Sequence, residues 1–315
     1  MNSELIELLV GQLWQVTILA VVVGWLTKTV LRDYPEWSYQ LWLVVMVKCV
    51  TPPIWASHCG VFSWLFQRLS GITSSSLHAV FGNVINTTHL ATALIVIWLG
   101  GVIVSIFVTM RKWKLIQSRI EKFEVTSPQE LQQLTKRLAS ELGIRQNVRL
   151  VVSSEPIGPA VIGVWSPMLI LPEALLKEES EESIEPILAH ELLHVQRGDT
   201  WVAILETVVR AVWWFHPQIQ RAADSMSQAG ELCCDQDVLS SLPFSPRRYA
   251  DSLLQVLEVR CRLQPLITQP GVRQEQVTRS RLKRIMTWDQ KRSPFSLRML
   301  SLLLILLLIL PGRSV

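Results

Sequence analysis

Two stretches without a charged side chain, Leu8 to Thr27 and His89 to Met110, constrain this chain more than any other feature in it. Each is about as long as the roughly 20 helical residues that cross the hydrocarbon of a bilayer. In hydrocarbon no water satisfies the backbone, so such a segment must close its hydrogen bonds within itself, and the spacing predicts helices. Composition agrees, with 49% of residues apolar and 18% charged, against roughly 25% charged in an ordinary soluble domain.

A third run, Trp37 to Trp55, carries Lys48 and ends at Pro52-Pro53. A span there needs its lysine to snorkel or to face other helices. A last run, about Phe295 to Leu310, is short and leucine-rich, with Arg298 near its start to reach the headgroups. Positive charge sets the orientation, because Lys and Arg stay on the inner side. The leading segment has Glu4 and Glu7 but no Lys or Arg, and Lys28 and Arg32 follow the first run. The stretch Ser57 to Thr88 has only Arg68, whereas Arg111, Lys112, Lys114, Arg119 and Lys122 come directly after Met110. Three spans are therefore expected in residues 1–110, a cytoplasmic domain in 111–294, and a fourth span with a short external tail in 295–315. The first run is too long for a signal peptide and lacks a basic lead, so it is expected to remain as an anchor.

The formal charge of +4 is small and scattered, and no basic-aromatic stripe or zinc-finger spacing accompanies it. Direct nucleic-acid binding is set aside on that ground. Five cysteines at irregular spacing make no disulfide framework.

Within 111–294, Pro128 to Leu142 has apolar residues at helical spacing (Leu131, Leu134, Leu138, Leu142) and stops at Gly143. Val148 to Val152, Ala160 to Val164 and Met168 to Leu171 read as short strands of a small sheet, with a hairpin turning near Trp165-Ser166-Pro167. The remainder reads as helical.

The chemistry is concentrated in His190-Glu191-Leu192-Leu193-His194. Ser183 is read as the cap of this helix, with Glu185 and Pro186 in its first turn and its end near Gly198. Two histidines four apart share one helix face and can chelate one Zn²⁺, while Glu191, one residue round, can lie beside the attacking water without ligating the ion. A catalytic zinc takes three protein ligands and keeps one position open, so a third ligand is required. Glu231 is the preferred candidate, and Asp235, four residues on, would then accept the outer N–H of a ligand histidine. Cys234 is the rival ligand, since a thiolate also suits zinc.

At these residues the chain resembles the BlaR/MecR-type membrane zinc peptidases, whose best-known members are antibiotic sensor-transducers. The resemblance runs through the multi-span start, Ile162-Gly163 through Pro167 to Leu171-Pro172, Ala189 to His194 with Arg197 and Asp199 after it, Trp214 and Pro217, Glu231 to Asp235, and the basic Arg281 to Arg284 segment. It implies a mainly α membrane protein: a multi-span helical region joined to a cytoplasmic α+β zincin-like (gluzincin) metallopeptidase domain with a small sheet. It also implies one Zn²⁺ per chain on His190, His194 and Glu231, Glu191 as the base, and a bacterial cell membrane as the location. The antibiotic sensors continue into an external penicillin-binding domain after their last span, whereas five residues follow Leu310 here, so covalent β-lactam capture is not expected.

Smaller signals complete the picture. His216 is a helix-end histidine that would stabilise an oxyanion if it reached the cleft. Arg197-Gly198-Asp199 is expected to end one helix and cap the next. Thr200 to Phe215 is expected to be a buried helix, with an interfacial dip as the alternative. The basic run Arg279, Arg281, Lys283, Arg284 fits either anionic lipid or a polar helix face. The expected function is hydrolysis of a protein or peptide substrate at the membrane face, in signal transduction or regulated proteolysis, with a transcriptional repressor as one candidate substrate and homo-oligomerisation left open. The competing classes are a non-catalytic membrane receptor or scaffold that keeps the metal fold, and a housekeeping quality-control peptidase.

Overall fold

The computed structural model describes residues 2–51, 87–122, 124–125, 127–154, 158–178, 181–263 and 272–288. The expected last span, Phe295 to Leu310, and most of the segment between the second and third spans lie outside them. The chain divides into two compact units, one of residues 1–108, 205–227 and 292–315, the other of residues 109–204 and 228–291.

In the first unit, helices α1 (Asn2–Thr29) and α2 (Pro35–Val50) pack along one apolar face each. Val16, Leu19 and Val23 of α1 and Leu41, Val45 and Met46 of α2 are buried, and Gly24 lets the Trp42 ring approach to 3.5 Å of where a Cβ would stand. Lys48 is buried rather than snorkelling, with its carbonyl accepting from Gln12 Nε2 at 2.8 Å. Helix α2 has 16 residues, a rise of about 24 Å at 1.5 Å per residue, so among the described residues it falls short of a full hydrocarbon thickness. Helix α3 (Thr87–Lys122) is different. Its stretch Thr92–Ile120 is the one helix among the described residues long and apolar enough to cross a membrane, and none of its most apolar window is buried in protein. Lipid solvates such a surface where water would not.

The corner from Val212 to His216 seats on these helices. Trp213 Nε1 donates to the Cys49 carbonyl at 3.1 Å, Trp98 Nε1 to the Val212 carbonyl at 2.9 Å, and Trp214 lies so close to Gly101 that a Cβ there would stand 2.1 Å from the indole. The expected buried helix over Thr200 to Phe215 is thereby corrected. Helix α7 (Asp199–Val212) buries Val209 and Ala211, but Trp201, Ile204 and Val208 are exposed. Glu206 and Arg210 make one side polar, so the helix is amphipathic, and its apolar stripe is only partly covered by the described protein residues.

The second unit holds the sheet. Strands β1 (Glu124–Val125), β2 (Arg149–Ser153), β3 (Ala160–Ile162) and β4 (Met168–Pro172) form a four-stranded mixed sheet in the order β1-β2-β4-β3. The expected hairpin is β3–β4, antiparallel, and β2–β4 is parallel. Gly163 turns the hairpin at φ +88, where any Cβ would meet the Ser166 carbonyl at 2.7 Å. Because strand side chains alternate, Leu150, Leu169 and Leu171 face one core and Val151 and Ile170 face another, the latter closed by Ile120 at the end of α3. Helix α4 (Gln129–Glu141) adds Leu131, Leu134 and Leu138 to the larger core, as their spacing requires.

Helices α5 (Glu173–Glu178), α6 (Glu181–Arg197), α8 (Pro217–Ser241), α9 (Pro246–Leu263) and α10 (Val272–Met286) complete the described chain. Helix α6 starts two residues before Ser183, which therefore lies inside the helix instead of capping it. Leu188, Ala189, Leu192 and Leu193 are fully buried in the larger core, and this burial holds the rest of α6 in a fixed rotation.

Candidate metal centre

That rotation brings His190 and His194 side by side on the opposite part of the helix, their rings 4.9 Å apart and perpendicular. Helix α8 supplies the third group. Glu231 Oε2 lies 3.5 Å from His190 Nε2, and Glu231 Oε1 lies 3.6 Å from His194 Nε2. Metal–ligand bonds of about 2.0–2.1 Å at a tetrahedral angle separate neighbouring ligand atoms by roughly 3.4 Å, close to both histidine–glutamate separations, and the ligand atoms of all three side chains lie within 4.8 Å of one another.

The outer nitrogens show which way the rings present their lone pairs. Tyr249, on α9, gives its hydroxyl hydrogen to Asp235 Oδ1 at 2.5 Å, so its oxygen accepts from His190 Nδ1 at 2.9 Å. His194 Nδ1 donates to Asp199 Oδ2 at 2.8 Å. Both N–H groups are thus committed outward, and both Nε2 lone pairs face the Glu231 carboxylate. Acceptors turned toward one another call for positive charge: the Arg281 guanidinium supplies part of it, with Nη1 2.7 Å from Glu231 Oε2 and Nη2 3.4 Å from His190 Nε2, and a metal ion on the same donor set would supply the rest. Burial works against a charge on His194, but the hydrogen bonds to Asp199 and Cys234 outweigh it and raise its basicity well above that of a free imidazole. Burial likewise opposes a charge on Glu231, yet His190 and Arg281 beside it keep its carboxyl well below the usual range.

Several expectations are refined here. Asp235, expected to accept the outer N–H of a ligand histidine, stands beside His190, but at 3.5 Å from Nδ1 its contact runs through the Tyr249 hydroxyl. The hydroxyl sits beside the pair at hydrogen-bond distance from both, whereas ring and carboxylate are too far apart for a good direct bond. Cys234 approaches His194 at Nδ1, 3.3 Å away, and not at the nitrogen that faces Glu231. Burial pushes its thiol up to about 11, so it stays protonated near neutrality. Glu191 is half-buried one residue round from His190, close enough to act on the charge of His194. Asp199 does more than begin α7. Gly198, at φ +72, makes the bend, and the Asp199 carboxylate turns back to His194 while accepting from Arg197 Nε at 3.3 Å.

The oxyanion role considered for His216 is corrected. It belongs to the first unit, where its Nδ1 accepts from the Ile219 amide at 3.4 Å and its Nε2 shares a 2.9 Å hydrogen bond with Thr17 Oγ1. The ring's single N–H is spent on Thr17, so no donor is left for an oxyanion. Tyr249 and Arg281 carry parts of the site that the sequence did not single out. Arg281 had a signal, in the basic run of α10, but nothing in the spacing says that one of its cations turns inward.

Two histidines one helical turn apart, a glutamate beside them and a carboxylate from a later helix make the arrangement of a helical metallopeptidase. The chain belongs to the BlaR1 peptidase M56 family, whose model matches residues 9–285. It is 24% identical over 260 residues to the methicillin resistance mecR1 proteins of Staphylococcus aureus and Staphylococcus epidermidis, covering 76% of this chain and 44% of theirs. It is 25% identical over 179 residues to the regulatory protein BlaR1 of Bacillus licheniformis, covering 56% of this chain and 29% of that one. The chain thus spans less than half the length of these curated relatives.

Proposed function

We propose that this chain is an integral-membrane zinc metalloendopeptidase that cuts a protein substrate at the cytoplasmic face of the membrane, in regulated proteolysis. The observation that carries this is the gathering of His190, His194 and Glu231, whose ligand atoms all lie within 4.8 Å of one another. In this assignment those three residues would hold one zinc, which would supply Lewis acidity toward a peptide carbonyl and lower the pKa of a water toward about 7. Glu191 takes a proton from the attacking water and delivers it to the leaving amine. Asp199 and Tyr249 keep the two imidazoles in the tautomer that ligates. The outer strand β3, with β4 covered on its other side by β2, offers an open edge to which an extended substrate segment can add as a further strand.

Helix α3 and the exposed apolar faces of the first unit support a membrane location. The proposed topology adds spans at Leu8 to Thr27, Trp37 to Trp55 and Phe295 to Leu310, with the peptidase unit inside and the amino terminus outside. The two relatives' names, methicillin resistance and regulatory protein, favour a regulatory substrate such as a transcriptional repressor over a housekeeping one.

The direct test uses the full chain in detergent and a quenched-fluorescent peptide library. Cleavage that stops when a chelator strips the metal and returns on adding zinc is expected; cleavage indifferent to chelation would overturn the assignment. Comparing membrane and cytosolic fragments made by the parent and by Glu191→Gln would then name the substrate. Tyr249→Phe removes the acceptor for His190 Nδ1 and is expected to weaken zinc binding about 10- to 100-fold, as measured by chelator competition. An unchanged affinity would show that the phenol does not orient the ring.

A further inference from the structure

We propose that Arg281 is a positioning residue of the metal centre, fixing the Glu231 carboxylate relative to Asp235 through one guanidinium plane. This rests on the zinc site proposed above. Arg281 comes from α10, and its side chain is only 13% exposed. Its Nη1 pairs with Glu231 Oε2 at 2.7 Å, while Nε and Nη2 donate to Asp235 Oδ2 and Oδ1 at 2.8 and 2.7 Å. Nη2 also lies 3.4 Å from His190 Nε2, so the same plane borders both the carboxylate and the imidazole of the ligand set.

The geometry goes beyond neutralising two acids. Glu231 is half-exposed with three rotatable bonds, and burying its backbone in α8 does not fix where its oxygens point. Asp235 is almost fully buried and is held by Tyr249 as well. A guanidinium clamped bidentate on Asp235 has its remaining Nη1 direction determined, because its donors form a rigid fork. The fork therefore transmits the fixed position of Asp235 to Glu231. A lysine ammonium, a point charge on a flexible stem, supplies the charge without the fixed direction. In the basic run, Arg279 and Lys283 are exposed while Arg281 turns inward, which separates this role from a general cationic face.

The deciding comparison is Arg281→Lys against the parent and Arg281→Gln, with each full chain purified in detergent and stripped of metal. The probes are Zn²⁺ titrated in competition with a chelator, and Co²⁺, whose visible absorption reports coordination geometry. Both variants are expected to bind Zn²⁺ about 10- to 100-fold more weakly and to give an altered Co²⁺ spectrum, with Arg281→Lys melting close to the parent in the metal-free state. Parental affinity and spectrum in Arg281→Lys would overturn the proposal, because charge alone would then suffice. Tighter binding in either variant would overturn it too, by showing that the guanidinium competes with the ion. A parent that binds no zinc is a distinct result, since it removes the metal site itself.

Discussion

Replacing Glu191 by glutamine is expected to slow peptide cleavage by about 10²- to 10⁴-fold, the usual share of a general base, while one zinc per chain is retained. The two halves of the result come from different atoms. The candidate ligand atoms are His190 Nε2, His194 Nε2 and a Glu231 oxygen, and the glutamine touches none of them. Leu188, Leu192 and Leu193, which set the rotation of the helix, are also unchanged. An amide of the same size cannot accept the proton of an attacking water, so the loss falls on kcat and not on metal content. Metal analysis of the purified variant together with cleavage of the parental substrate checks both halves. A Glu191→Gln protein that cuts at the parental rate would remove the base assignment; one that loses its zinc would make Glu191 part of the binding set.

Much of the site is legible in the sequence because helical periodicity is a local property. His190 and His194 are one turn apart in any helix, and the apolar residues at 188, 189, 192 and 193 say which side goes inward. The same holds for the β3–β4 hairpin, where Gly163 and Pro167 mark the turn. Pairings set by tertiary packing are not written locally. Tyr249 reaches His190 across 59 positions and Arg281 reaches Asp235 across 46, and no spacing rule links either pair. Asp199 shows an intermediate case. Its place after Gly198 suggests a helix start, and only the sharp bend at a left-handed glycine reveals that its carboxylate returns to His194. The parallel β2–β4 pairing and the short β1 edge are likewise set by contacts between separate segments, not by any alternation within the strands. His216 shows the same limit. A histidine near a helix start is as readily a hydrogen-bond partner within its own packing unit as a donor to a cleft, and Thr17, 199 positions away, takes its N–H.

The choice between Glu231 and Cys234 as third ligand predicts the second large effect. Glu231→Ala is expected to lose zinc to a greater degree than the about 10- to 100-fold of an outer partner, and to lose cleavage with it. Cys234→Ala is expected to keep its zinc. Removing Glu231 deletes the carboxylate whose two oxygens stand 3.5 and 3.6 Å from the inner imidazole nitrogens, and two histidines alone leave a catalytic site one protein ligand short. It also leaves the Arg281 guanidinium balanced only by Asp235 at the mouth of the site, which adds repulsion against any incoming cation. Cys234 stands on the other side of the His194 ring, at Nδ1, with Asp199 as its second neighbour at 3.7 Å. Its thiol, pushed up to about 11, would have to ionise and swing round the imidazole to reach the inner face. Asp199 already accepts the His194 N–H at 2.8 Å, so the ring keeps its orientation when the sulfur is gone. Zinc content and chelator-competition affinity of the two variants decide the matter together. A Cys234→Ala chain that comes out empty beside a zinc-loaded Glu231→Ala chain would reverse the ligand assignment and place the ion on the opposite edge of His194.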